Sequence, residues 1–195
     1  MWDQRYASSE YVYGTEPNDF LRGQVGLLPR GRVLCLADGE GRNGVWLAQQ
    51  GFEVTSVDAS AVGLAKTRAL AASRGVSLTT VHADLAEFDL GTAQWDAVVS
   101  IFCHLPPSLR GNVHARVRTA LRPGGVVLLE AYTPAQLALA TGGPPVAELM
   151  MDLAGVNAEF DGLEVLHGLE TEREVIEGVG HFGTGAVVQF IARKP

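Results

Sequence analysis

The chain has 195 residues, 47% of them hydrophobic, which is enough for one sizeable core and excludes a disordered composition. With 22 acidic and 15 basic residues the net charge is −7, so the chain lacks the basic surface that a phosphate backbone requires, and nucleic acid is not expected as a partner. No apolar run is long enough to cross a bilayer, no membrane contact is expected, and Met1-Trp2-Asp3-Gln4-Arg5 lacks the pattern of a secretory signal, so the chain reads as cytoplasmic.

The opening stretch, Met1 to Arg30, is crowded with Trp2, Tyr6, Tyr11 and Tyr13 and then turns helical at Pro17-Asn18-Asp19, with Asn18 as the N-cap. Arg32 to Ala37 is the first strand. A glycine turn follows, then a helix from Asn43 to Gln50 closed by Gly51. Glu53 to Val57 is a strand ending at Asp58, and Ser60 caps a helix over Ala61–Arg74 that stops at Gly75. Strands follow over Ser77–His82 and Trp95–Ile101. A helix begins at Pro106-Pro107-Ser108 and runs to Leu121, Pro123-Gly124-Gly125 is a turn, and Val126–Ala131 is the fifth strand. This alternation specifies an α/β domain with a mostly parallel sheet and helices on both faces.

The last third breaks the pattern. Thr133–Ala154 reads as helical and loop material, and Leu163–Ile176 and Ala186–Ala192 read as long strands. Between them, Glu177–Gly185 holds Gly178, Gly180, Gly183 and Gly185, a hairpin signal. The chain is thus expected to be one domain, 1–195, with an N-terminal lid over 1–30 and substrate-side insertions over 133–185. Lacking an apolar interface stripe, it is expected to be a monomer.

The segment from Val33 to Gly44 is strand, turn, helix. Its glycines let a ligand approach the backbone, and the helix N-terminus behind them presents unpaired N–H groups. Asp58 ends the next strand at the spacing where an acid meets ribose hydroxyls, and Asp84 follows the third strand, where a carboxylate can accept from an adenine amino group. Either aspartate alone reads as a turn residue or cap. Together with the glycine turn they point to a nucleoside-containing ligand at the carboxyl ends of the strands. Gly39-x-Gly41-x-x-Gly44 also fits an NAD-binding fingerprint, so an NAD(P)-dependent oxidoreductase is the alternative. Three features weigh against it: the long segment before the first strand, the short chain after the fifth, and the closing hairpin.

The motifs Leu36-Ala37-Asp38-Gly39-Glu40-Gly41-Arg42-Asn43, Val57-Asp58-Ala59-Ser60, Ala83-Asp84-Leu85, Trp95-Asp96-Ala97-Val98-Val99-Ser100 and Leu121-Arg122-Pro123-Gly124-Gly125 resemble the class I S-adenosylmethionine-dependent methyltransferases. Trp2-Asp3-x-Arg5-Tyr6 with Tyr13-Gly14-x-x-Pro17-Asn18 resembles the N-terminal lid of their short tellurite-resistance and thiopurine-methyltransferase-like branch. The resemblance implies a Rossmann-like seven-stranded sheet whose last strand is antiparallel, with S-adenosylmethionine as cofactor. It implies that Gly39 and Gly41, with Asp38, Arg42 and Asn43, lie along the methionine part. Asp58 and Ala59 would meet the ribose, Asp84 and Leu85 the adenine, and Ser100, Ile101 and Phe102 the amino acid moiety, with Trp2 and Tyr6 in the lid. The class commonly has an acid where this chain has Cys35 and a glycine at Ala37; the acidic contact is then either lost or supplied by Asp38.

The resemblance implies a small-molecule methyltransferase acting on a soft thiol, selenium or tellurium nucleophile; a non-catalytic S-adenosylmethionine-binding module is a further alternative. A thiolate needs little help, whereas a neutral acceptor needs a base. His104, Tyr13 and His181 are the candidates on the acceptor side. His104 reads equally as a loop residue with a satisfied ring. His181 reads as an exposed loop histidine, or as part of a flap. Arg173, among Glu170, Glu172 and Glu174, reads as a surface salt bridge. Cys35 reads as a buried small hydrophobe, and Cys103, at a strand end beside the expected pocket, reads as the same in preference to a site thiol. His82, His114 and His167 have no metal-ligand spacing, so no metal site is expected.

Overall fold

The computed structural model describes residues 1–195. Two short helices, α1 (Trp2–Arg5) and α2 (Asp19–Gln24), precede the sheet. Asn18 starts α2 by accepting the Leu21 N–H at 2.9 Å. The strands are β1 (Arg32–Leu36), β2 (Glu53–Asp58), β3 (Thr79–His82), β4 (Trp95–Ile101), β5 (Leu121–Tyr132), β6 (Glu164–Glu177) and β7 (His181–Arg193). Between them lie α3 (Arg42–Gln49), α4 (Ala61–Ser73), α5 (Pro107–Ala120), α6 (Gln136–Leu139) and α7 (Leu153–Glu159).

The strands form one seven-stranded sheet in the order β3-β2-β1-β4-β5-β7-β6. The first five are parallel, and β7 inserts antiparallel between β5 and β6. Successive strand residues point to opposite faces, and both faces are covered. Leu34, Val98, Val127 and Phe190 pack with Val113 and Val117 of α5 and Val156 of α7. Val33, Cys35, Val99 and Ile191 pack on the other face with Leu21 of α2 and Leu47 of α3. Cys35 is therefore a core residue. The strand order reverses between β1 and β4, which places a ligand crevice at the carboxyl ends of those strands.

Two elements differ from expectation, and a third takes the mixed form expected of it. Leu121–Gly125 is part of β5: Leu121 pairs with Trp95, the register then shifts to Val126 with Ala97, and Gly124 at φ +78° carries the resulting bulge. The segment expected to be helical or loop to Ala154 contains α6, a 3-10 turn at Ala147–Leu149, and the start of α7, which Asp152 caps on the Gly155 N–H at 2.7 Å. The glycine-rich loop shrinks to Gly178–Gly180, because β6 and β7 pair through to Glu177 and His181. Cross-strand pairing outweighs the local glycine signal there.

Candidate functional site

The turn after β1 is left-handed at three positions: Ala37 (φ +48°), Gly39 (φ +59°) and Gly41 (φ +86°). A Cβ on Gly41 would stand 2.4 Å from Cγ2 of Thr67, so the turn packs directly on α4. Thr67 also donates its hydroxyl to the Gly39 carbonyl at 3.0 Å. Asp58, at the end of β2, is buried and accepts from the Gly39 N–H at 2.8 Å and the Ser60 N–H at 2.7 Å. Burial raises its carboxyl above the usual range, partly offset by those two amides. The carboxylate thus braces the glycine turn and keeps lone pairs free for a diol.

Asp38 is half-buried at the start of the turn. Its carboxylate accepts from the Ser56 hydroxyl at 2.6 Å, a Cβ on Gly44 would stand 2.5 Å from its Oδ2, and burial pushes it up to about 7 against that hydrogen bond. One oxygen of the Asp38 carboxylate is thus tied to β2 beneath α3. Arg42 and Asn43 are also engaged inward. Arg42 pairs with Glu177 at 2.5 Å, and the Asn43 side-chain oxygen accepts the Asn18 N–H at 2.9 Å. Asp84 is exposed and accepts the Ala86 N–H at 2.8 Å, while Leu85 is buried in the α5 face of the core. Ala59 is exposed, Ser100 and Ile101 are buried at the end of β4, and Phe102 follows at φ +51°.

The N-terminal segment is docked over this crevice. Asp3 accepts from the Ser60 hydroxyl at 2.5 Å and the Val62 N–H at 3.3 Å at the start of α4. Glu40 of the glycine turn accepts the Val12 N–H at 2.8 Å and pairs with Lys66 at 2.6 Å. Tyr6 is buried, and a Cβ on Gly39 would stand 2.7 Å from its hydroxyl. A run of aromatic contacts then crosses the site: Trp2 on Tyr6 (5.6 Å), Tyr6 to Tyr13 (6.5 Å), Tyr13 to His181 (4.6 Å), His181 to Phe102 (4.6 Å), and Phe102 on Tyr132 (4.6 Å). The lid residues and the ends of β4, β5 and β7 meet in one cluster.

The histidines separate. The His104 ring is engaged on both sides, with Nδ1 2.9 Å from the Leu149 carbonyl and Nε2 3.4 Å from the Tyr132 N–H. That pattern fits the neutral tautomer donating from Nδ1, and burial lowers its pKa to about 4. His104 anchors the 3-10 turn to the sheet. His181 is not an exposed loop residue: it opens β7 and is 8% exposed. Its Nδ1 is buried without a hydrogen-bond partner, 3.9 Å from Glu177. Cys103 is buried, and burial pushes its thiol up to about 12, so it is no nucleophile.

A buried polar network that sequence reading missed lies beneath the cluster. Arg173 is not a surface salt bridge; it forms a short pair with the fully buried Glu130 and reaches Glu177 at 3.0 Å. Asn18 donates to both carboxylates, at 2.7 and 2.9 Å, and Gln189 donates to Glu130 at 2.7 Å. Its visible signal was Glu130 itself, a lone charge inside an apolar strand.

Residues 33–125 match the family model of a methyltransferase domain. A curated relative, glycine/sarcosine N-methyltransferase of Halorhodospira halochloris, is 33% identical over 134 residues, covering 66% of this chain and 47% of that protein. The chain thus spans about half the length of the curated relative it matches. Among solved structures, one concerned with the conversion of a disulfide bond into a thioacetal group during echinomycin biosynthesis superposes with a TM-score of 0.80 at 18% identity, covering 99% of this chain and 90% of that one. TehB from Haemophilus influenzae superposes with a TM-score of 0.73 at 19% identity, covering 100% of this chain and 66% of that one. The likeness to solved structures shows the Rossmann-like fold that methyltransferases share, and the match to a methyltransferase domain lies over the segment that carries β1 to β4 and the glycine turn.

Proposed function

We propose that the protein is an S-adenosylmethionine-dependent methyltransferase acting on a small molecule, with a soft thiol, selenium or tellurium nucleophile as acceptor. The observation that carries the acceptor class is the aromatic cluster of Phe102, Tyr132, Tyr13 and His181 next to the glycine turn. Aromatic faces and edges favour polarizable sulfur-like atoms. The two arginines beneath the cluster, Arg42 and Arg173, are paired with Glu177 and Glu130, so the network presents no net positive charge to an amino acid carboxylate.

The cofactor, when bound, supplies an electrophilic methyl on a sulfonium; the chain supplies position. Gly39 and Gly41 would let the methionine part approach the backbone, Asp58 would take the ribose hydroxyls, and Asp84 with Leu85 would flank the adenine. Ser100, Ile101 and Phe102 would border the methionine end, with Trp2, Tyr6 and Tyr13 over it. Fixing donor and acceptor in line accounts for on the order of 7–11 kcal/mol of barrier lowering in favourable cases. The orphaned Nδ1 of His181 and Nη1 of Arg42 beside this space fit a pocket built for a polar ligand.

Calorimetry with S-adenosylmethionine and NAD side by side tests the cofactor; saturable NAD binding with S-adenosylmethionine silent overturns the reading. Transfer of a labelled methyl is then measured on thiols, selenite and tellurite against glycine and sarcosine. The amines are the second reading, favoured by the likeness to glycine/sarcosine N-methyltransferase. Methylation confined to them replaces the acceptor class, and a cofactor bound without transfer to anything points to a non-catalytic module.

A further inference from the structure

We infer that His181, backed by Glu177, is the base that takes a proton from the acceptor, so that the substrates of this site are neutral X–H acceptors, foremost thiols that are still protonated at neutral pH. The inference rests on the methyltransferase reading and adds the ionisation state of the acceptor to it.

The geometry is that of an imidazole with a carboxylate behind it and a free nitrogen ahead. His181 opens β7 and Glu177 closes β6, directly paired across the tight turn. Nδ1 of His181 is enclosed, has no hydrogen-bond partner and lies 3.9 Å from Oε2 of Glu177, near enough for a small ring rotation to close the bond. Glu177 is well placed to stay ionised: burial would raise its carboxyl, but His181, Arg42 and Arg173 draw it down to about 2. A proton held on Nδ1 by that carboxylate leaves Nε2 with its lone pair. Nε2 makes no hydrogen bond to the protein, and the ring lies between Tyr13 of the lid and Phe102 at the end of β4, 4.6 Å from each. His104, the other histidine of the cluster, is spent on Leu149 and the β5 backbone.

In the step, a lone pair on the acceptor X attacks the sulfonium methyl, the C–S bond breaks with its electrons going to sulfur, and the proton on X passes to Nε2 of His181. The products are X–CH3, S-adenosylhomocysteine and an imidazolium that later loses its proton to water. The charged and titratable groups around the ring are Glu177 of β6, Arg42 of α3, Arg5 of α1, Tyr13 of the lid, Tyr132 of β5 and His104 after β4. Burial lowers the His181 pKa, which Glu177 opposes, so the ring is a free base at neutral pH.

The test compares an aliphatic thiol, 2-mercaptoethanol, with 5-thio-2-nitrobenzoate, an aryl thiol already ionised at neutral pH. With the wild type, kcat/KM for the aliphatic thiol should reach a plateau near neutrality. In His181→Gln it should fall about 100-fold or more and then rise tenfold per pH unit toward the pKa of that thiol. The aryl thiol should lose less than about fivefold, and the Kd for S-adenosylmethionine should stay within about threefold. Ring-proton NMR of the unloaded protein should show Glu177→Gln lowering the His181 pKa. Equal losses on both thiols, an NMR titration that Glu177→Gln does not move, or a wild-type rate that simply tracks free thiolate overturns the inference; the last needs no variant to fold. A wild type that binds S-adenosylmethionine but methylates no X–H acceptor also overturns it, whereas one that binds no S-adenosylmethionine overturns the methyltransferase reading itself.

Discussion

Arg42 and Glu177 meet at 2.5 Å although 135 residues separate them. The pair joins the first residue of the helix behind the glycine turn to the last residue of β6, and so couples the glycine turn to the hairpin. Both side chains are under 10% exposed, and Arg173, Asn18 and Glu130 complete the network around them. Such a network is held in place by its completeness, since removing one partner strands the others.

Glu177→Ala should therefore cost about 3–5 kcal/mol of unfolding free energy at neutral pH, because Arg42 and Arg173 are left buried without a counter-charge. Glu177→Gln, which keeps hydrogen-bond acceptance, should cost less, about 1–3 kcal/mol. The pH sign follows from a folded pKa of about 2 against the ordinary glutamate value of 4.5. The stabilisation is fully present above the unfolded value and is lost as pH falls through the folded one. Urea denaturation of wild type and Glu177→Gln at neutral and acid pH checks this. The gap between them should narrow toward pH ~2–3; a gap that is constant or widens on acidification contradicts it.

Asp58→Ala should raise the Kd for S-adenosylmethionine by about 100-fold. It removes the brace on the Gly39 and Ser60 amides, together with the ribose contact proposed for this carboxylate. Asp58→Asn keeps one acceptor and should lie between. Calorimetry gives the values, and an unchanged Kd for Asp58→Ala takes Asp58 out of the ribose site.

Gly39→Ala should disturb the lid as well as the turn. The new methyl would stand 2.7 Å from the Tyr6 hydroxyl and 3.3 Å from its Cζ, at φ +59°. A left-handed alanine costs about 1–2 kcal/mol by itself, and overpacking adds roughly 1–3 kcal/mol. Tyr6→Phe removes the nearer atom, so the double variant should recover part of the loss, with a coupling of about 0.5 kcal/mol or more. Denaturation of the four proteins in the cycle measures it; strict additivity would mean that Tyr6 is not seated on the turn.

The parallel half of the fold was legible because its signals are local. Alternation of strands and helices, the caps at Asn18 and Ser60, and the stops at Gly51 and Gly75 each follow from a few neighbouring residues. The site was legible as far as it sits on those elements, which is why the glycine turn and Asp58 were found in contact. Long-range pairing was not. His181 looked like a loop residue because four glycines surround it, yet β6 and β7 zip through that region and bury its ring. Arg173 looked superficial among its glutamate neighbours, while its real partners, Glu130 and Glu177, come from β5 and the far end of its own strand. Burial of a charge depends on which strand lies alongside, and periodicity along one segment carries no such information.

His104 supplies the last prediction, an acid-sensitive anchor. Its folded pKa of about 4 lies below the usual 6.5, mainly through burial, so the unfolded chain binds the extra proton first. Stability should then fall as pH drops from about 6.5 toward about 4, because protonating the ring costs the Nε2 acceptor and places a charge between Leu149 and β5. In His104→Gln that part of the slope should vanish, since glutamine keeps a donor and an acceptor without titrating. Thermal melts at pH ~7 and pH ~4.5 separate the two: the wild type should lose more melting temperature than the variant over that interval. Equal losses would place the ring in contact with water in the folded state. Activity should survive the substitution within about tenfold, because both ring nitrogens of His104 are spent on holding the Ala147–Leu149 turn against the sheet.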